Sequence, residues 1–175
     1  MLGFLNNPEL EYKANRYIGQ HKELAIIEMY RTGIPASITL AQALHESNYG
    51  NSDLATKANN HFGIKCKSYW EGMTYYHEDD DLNDQGQLIE SCFRAYKTVY
   101  DSYIDHSNFL RHTKYYKRLF TIPRDDYKSW AIGLQKSGYA TDPNYAKKLI
   151  RIVEKYKLNE LDSASNPYSR LKNLE

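Results

Sequence analysis

Glu46 is the residue of this chain whose surroundings best suit acid–base chemistry. It stands in IPASITLAQALHESNYGNSDLA, Ile34 to Ala55, near the end of a helix that the residue types place at about Ala36 to Tyr49 and that carries no other formal charge. Pro35 suits the first helical turn, where its missing N–H is not needed, and Gly50 suits the position past the last turn, where a left-handed backbone costs little. Leu40 and Leu44 fall on one face with Ala41 and Ala43 beside them, and Glu46 shares its side of the helix with Ala43 and Gln42. A carboxylate at the rim of such a face is poorly solvated when ionised. Its pKa should therefore rise toward the range in which a general acid works at neutral pH. The competing reading is a solvated glutamate near a helix C-terminus.

A second acidic feature is the run HEDDD, His77 to Asp81. Side chains alternate along a strand, so Glu78 and Asp80 share one face and Asp79 and Asp81 the other, and only one pair can border a cleft. The run also reads as a solvated acidic turn, or as oxygen ligands for a hard cation, although DDDLNDQG lacks the spacing of a calcium loop. Trp70, Tyr75 and Tyr76 lie just before it, and their flat rings suit either a sugar-stacking platform or the packing of a small lobe.

The elements that must position these groups are mostly helical. Pro8 to Arg31 reads as one or two helices with Leu24, Ile27 and Tyr30 as an apolar stripe, and Ser52 or Asp53 suits the cap of a short turn through Ala58. Alternation in MTYYHEDDD and QLIESCFRAY, separated by Asn83, Asp84 and Gly86, predicts a β-hairpin or small sheet within residues 66–96. Helical periodicity returns at Thr98 to Arg111, Lys114 to Leu119, Arg124 to Lys136 and Pro143 to Lys157. Beyond Leu158 it fades into DSASNP, so residues 1–160 are expected to form one domain and 161–175 a tail or linker.

Composition narrows the function classes. The 175 residues are 41% apolar, and 23 basic against 22 acidic side chains leave no field that would favour nucleic acid or an anionic membrane surface. No apolar run is long enough for membrane insertion, and MLGFLNN lacks the basic start and cleavage site of a secretory leader. Cys66 and Cys92 flank the hairpin region and are open to pairing or to staying free. Without CxxC spacing, and with six scattered histidines, they give no metal signature, and no cofactor is called for.

Four segments occur together in one order: AQALHESNYGNSDLA, NNHFGIK (Asn59 to Lys65), CFRAY (Cys92 to Tyr96) and GYATDPNYAKKLIRIVEKY (Gly138 to Tyr156). The chain from about Tyr17 to Leu158 resembles glycoside hydrolase family 73 on these motifs. The resemblance implies a mainly α, lysozyme-like α+β domain with a small β-lobe, and an endo-β-N-acetylglucosaminidase acting on the β-1,4 bonds of peptidoglycan glycan strands. Such a protein would be secreted, periplasmic or cell-wall associated.

The resemblance also implies roles. Glu46 takes the position of the general acid. Asp80, with Glu78 second, takes that of the β-lobe carboxylate by its offset from Glu46, where the family more often has a Thr-rich strand followed by Glu. Tyr139 matches the tyrosine facing the scissile bond, and Asn60 and Phe62 the segment lining the cleft. His61 varies among similar sequences and is expected at the surface. Arg94 reads as structural, and Tyr115, Tyr116 and Trp130 as core or surface cover. Two other readings stand: a lytic transglycosylase, which the acidic strand and GYAT motif disfavour, and an inactive cell-wall-binding or adhesive module.

Overall fold

In a computed structural model, residues 7–169 are described; residues 1–6 and 170–175, including the start of the chain and the end of the expected tail, lie outside them. The order is α1 (Pro8–Thr32), α2 (Ala36–Glu46), α3 (Asp53–Ala58), β1 (Thr74–Leu82), β2 (Leu88–Arg94), α4 (Val99–His112), a 3-10 helix (Lys114–Thr121), α5 (Tyr127–Lys136), α6 (Tyr145–Lys155) and a second 3-10 helix (Leu158–Ser163). The domain is mainly helical with one antiparallel hairpin, as expected.

The centre of the fold is α2. All nine residues from Ala36 to Leu44 are buried, because α1, α5, α6 and the second 3-10 helix pack around it. A helix enclosed on every side must be uncharged all round, which is the reason ASITLAQAL contains no charge. Core side chains from its neighbours include Met29, Tyr103, Trp130, Leu134 and Leu149. The helix ends at Glu46, earlier than Tyr49, and Asn48, Tyr49 and Gly50 follow with φ of 48°, 58° and 82°. That left-handed run lifts the chain off the helix axis immediately after the glutamate.

The N-terminus of α2 is capped from a distance. Pro35 supplies no side-chain cap, and instead the Ser37 N–H and Oγ donate to Asp162 Oδ1 and Oδ2 at 2.8 and 2.6 Å. Asp162 is buried in the second 3-10 helix, and the Tyr30 hydroxyl donates to the Ala164 carbonyl. The tail expected from residue 161 is thus tied to the domain as far as Ala164. The sequence hides this because a single buried aspartate, not a periodic stripe, makes the attachment. Asp162→Ala is expected to cost about 1–3 kcal/mol, the penalty for leaving buried donors unmet. Denaturant unfolding measures it, and an unchanged midpoint would deny the cap.

In the hairpin, Thr74 pairs Arg94, Glu78 pairs Glu90 and Leu82 pairs Leu88, so Asp79 to Asp81 bulge opposite Ile89 alone. A two-stranded hairpin has little stability of its own, and here a Cys66–Cys92 disulfide, the Cys66 N–H bonded to the Cys92 carbonyl, and a Lys65–Phe93 bridge hold it to the preceding segment. Arg94 is buried and pairs Asp105 of α4 at 2.9 Å, which joins the lobe to the helical body.

Candidate active site

Glu46 reaches the cleft because α2 stops there. Its carboxylate lines a pocket of about 380 Å³ shared with Phe62, Gly63, Lys65, Tyr116 and Tyr139. Burial raises its pKa to about 7, against the pull of a hydrogen bond from Tyr145, with the charge of Asp79 pushing the same way as burial. Two other buried carboxylates are accounted for: Glu28 pairs Arg31 at 2.6 Å, and Asp162 caps α2. No cation pairs with Glu46 among the described residues.

A directional chain of hydrogen bonds ends on Glu46. The Tyr145 hydroxyl donates to Glu46 Oε1 at 3.2 Å and accepts from Gln42 Nε2 at 3.0 Å. Gln42 Oε1 lies 3.0 Å from His106 Nε2, and since an amide oxygen only accepts, that ring nitrogen carries the proton. Burial lowers His106 to about pKa 3, so the ring stays neutral. Tyr145 stacks on Tyr139 at 5.7 Å, and Phe62 stacks on His106 at 3.8 Å. Tyr139, half-buried, borders the pocket, and burial followed by the nearby Glu46 charge keeps its phenol protonated. Tyr145 and Gln42 are site residues that the sequence reading missed. The signal was the second tyrosine of GYATDPNYA, which periodicity alone assigns to a core stripe.

NNHFGIK is a built turn. The Asn60 side chain donates to the Ile64 and Arg94 carbonyls at 3.0 and 2.8 Å and accepts from the Phe62 and Ile64 N–H groups. It is buried and shapes the loop from behind, while Phe62 contributes to the pocket wall. Gly63 has φ 63°, and a Cβ there would lie 3.8 Å from Glu46 Oε2, so the glycine serves backbone conformation more than clearance. His61, expected at the surface, is buried instead. It bonds the Tyr17 hydroxyl at 2.6 Å, and burial lowers its pKa to about 4.

The acidic strand keeps strict alternation, and its phase is now fixed. Glu78 and Asp80 lie on the exposed face, whereas Asp79 and Asp81 lie on the inner face. Lys65, a pocket residue, pairs both inner acids at 3.1 and 2.6 Å, and the Ser91 hydroxyl also donates to Asp81. The inner acid whose charge bears on Glu46 is Asp79, a position next to the favoured Asp80. The phase was illegible in the run itself because Lys65, from another segment, selects the face.

Trp70, Tyr75 and Tyr76 do not share a surface. Trp70 packs over the Arg94 guanidinium at 4.6 Å, Tyr75 faces inward beside His77, and Tyr76 is 60% exposed on the opposite face of β1. Neighbouring strand residues point opposite ways, so Tyr75 and Tyr76 cannot form one platform. No group of three or more metal-ligating side chains comes together among the described residues.

A helical body, a hairpin lobe and a glutamate at the cleft between them give the domain a lysozyme-like architecture. The chain belongs to the glucosaminidase family: residues 22–158 match the family described as mannosyl-glycoprotein endo-beta-N-acetylglucosaminidase. Among curated proteins it is 44% identical over 133 residues to the exo-glucosaminidase LytG of Bacillus subtilis, covering 74% of this chain and 46% of that protein. It is 30% identical over 144 residues to the peptidoglycan hydrolase FlgJ of Salmonella typhimurium, covering 79% and 45%. The chain thus spans less than half the length of these relatives. Among solved structures, a peptidoglycan hydrolase mutant from Sphingomonas sp. A1 superposes with a TM-score of 0.70 at 28% identity, covering 83% of this chain and 96% of that one.

Proposed function

We propose that this domain is an endo-acting β-N-acetylglucosaminidase that cleaves the β-1,4 bond between N-acetylglucosamine and N-acetylmuramic acid in peptidoglycan, working at the bacterial cell wall. The observation that carries the reading is Glu46, placed in a pocket walled by Tyr139 and Phe62 where burial raises its pKa to about 7. Its protonated carboxyl donates to the leaving glycosidic oxygen as the bond breaks toward an oxocarbenium-like state. Tyr139 offers its hydroxyl to the acetamido group or the developing charge. Asp79, held by Lys65, activates water or orients the acetamide, whose oxygen serves as internal nucleophile in the substrate-assisted route. The homologues named above are a glucosaminidase and peptidoglycan hydrolases, which supports the substrate class.

The test is digestion of purified peptidoglycan, borohydride reduction and mass spectrometry of the new ends. Reduced N-acetylglucosamine ends on fragments of mixed length are expected. Early products of one small size would mean exo action, anhydro-muramic ends a transglycosylase, and no new ends a binding module.

The hydrogen bond from Tyr145 stabilises ionised Glu46 and so lowers its pKa. Removing it in Tyr145→Phe should let that pKa climb. Because a general acid acts while protonated, the alkaline limb of log kcat/KM against pH, expected near pH 7 in the native protein, should move to higher pH. A limb that stays in place or moves down would show that Tyr145 does not govern Glu46.

A further inference from the structure

The pocket at Glu46 shares a wall with a second depression. Phe109 lines both, and the depression, of about 510 Å³, is bordered by Tyr69, Asn108, His112 and Tyr115. The connection is a wall of rings: Tyr139 to Tyr116 at 6.1 Å, Tyr116 to Phe109 at 5.7 Å, then the Arg94 guanidinium 5.7 Å from Phe109 and 5.4 Å from Tyr69.

At the far end, Tyr69 and Tyr115 are 64% and 66% exposed. Tyr12 and Tyr76 are as open elsewhere, so what sets this pair apart is that both rings border one depression next to the Glu46 pocket. Tyr69 is also held in place. The buried Arg94, itself fixed by Asp105 through both carboxylate oxygens, donates from Nη2 to the Tyr69 hydroxyl at 3.2 Å. A ring fixed in advance loses little conformational freedom when something stacks on it. Asn108, which also borders the depression, accepts from Arg31 through Oδ1, so its amide nitrogen is left as a donor.

We propose that this depression is a distal saccharide subsite, where the same glycan strand that is cut at Glu46 stacks sugar rings on Tyr69 and Tyr115, several sugars from the scissile bond. The chemistry matches a pyranose: apolar CH faces against two flat phenol rings, and equatorial hydroxyls within reach of polar groups on α4. The inference rests on the glycan-cleaving reading of the Glu46 pocket, and it deepens that reading by giving an endo-acting enzyme a reason to prefer the interior of long strands.

The experiment compares peptide-free glycan strands, long and of the shortest cleavable length, with the native protein and with Tyr69→Ala/Tyr115→Ala. The long-to-short ratio of kcat/KM is expected to fall about tenfold in the double variant, the size of effect that two stacking contacts carry. Tyr115→Trp, which keeps a ring, should restore most of the ratio when set beside Tyr115→Ala. An unchanged ratio in an active double variant would overturn the subsite, as would a loss seen only with strands that bear peptide stems. Binding of long peptide-free strands to Glu46→Gln, with and without the two alanines, reads the subsite without turnover. Failure to cleave any glycan would remove the function proposed above, whereas a tenfold weaker binding in that pair would still establish the subsite.

Discussion

Glu46→Gln is expected to lower kcat on peptidoglycan by about 10²–10⁴-fold, the contribution of a positioned general acid, while the domain stays folded and keeps its grip on glycan. The amide matches the carboxyl in shape, and its oxygen still accepts the Tyr145 hydroxyl, but it has no acidic proton to give. Its effect on stability has a defined sign. Folding raises the Glu46 pKa from 4.5 to about 7, so the fold disfavours the ionised form. The resulting penalty is absent at low pH, grows as pH rises from the unfolded value toward 7, and is full above it. The glutamine variant escapes it and should melt at the same or a higher temperature than the native protein at pH 8, with the difference vanishing near pH 4. Thermal melts at the two pH values, run beside product analysis, separate the roles. Retained turnover would remove Glu46 from the acid position, and a lower melting temperature at pH 8 would show that the carboxylate supports the fold.

Glu46 was legible in the sequence because its exposure to chemistry and its place in the fold have one cause. The helix that carries it is enclosed, so it can bear no charge until the point where it emerges, and the first charge marks that point. The hairpin was legible for a similar reason, since alternation and turn residues are local signals. What stayed hidden was set by partners far along the chain. Tyr145 bonds a carboxylate 99 positions earlier, and Asp162 caps a helix 125 positions earlier. The choice between Asp79 and Asp80 turned on Lys65 in the loop after α3, and alternation, which fixes the two faces, says nothing about which one meets the body. Tyr75 and Tyr76 were separated by the same pleat, while Trp70, ahead of the strand, packs on Arg94. The exposed rings that do share a depression, Tyr69 and Tyr115, lie on segments with no common pattern.

The Cys66–Cys92 bond belongs with these long-range features, and breaking it is expected to have the largest effect on stability. The cysteines lie 26 positions apart, and a cross-link closing a loop of that size restricts the unfolded chain by about 3–4 kcal/mol in the chain-entropy account. The lobe has few other resources. The outer face of β1 is exposed along its length, and β2 buries side chains only from Ser91 onward. The bond also stands at the base of the site, because Cys66 follows the lysine that holds Asp79 and Asp81, and Cys92 lies on the strand paired with theirs. Cys66→Ser/Cys92→Ser, or the native protein under a thiol reductant, should therefore melt roughly 6–16 °C lower, given about 2–4 °C per kcal/mol for a domain of this size. Because Glu46 is carried by the enclosed α2 and keeps its place when the lobe moves, turnover should fall through loss of Asp79 placement while the alkaline limb expected near pH 7 shifts toward lower pH. Asp79 repels the charge on Glu46, so a lobe that drifts away lets the carboxyl ionise more easily. A reduced protein with an unchanged melting temperature and pH profile would show that the main-chain bonds of the hairpin alone position the lobe.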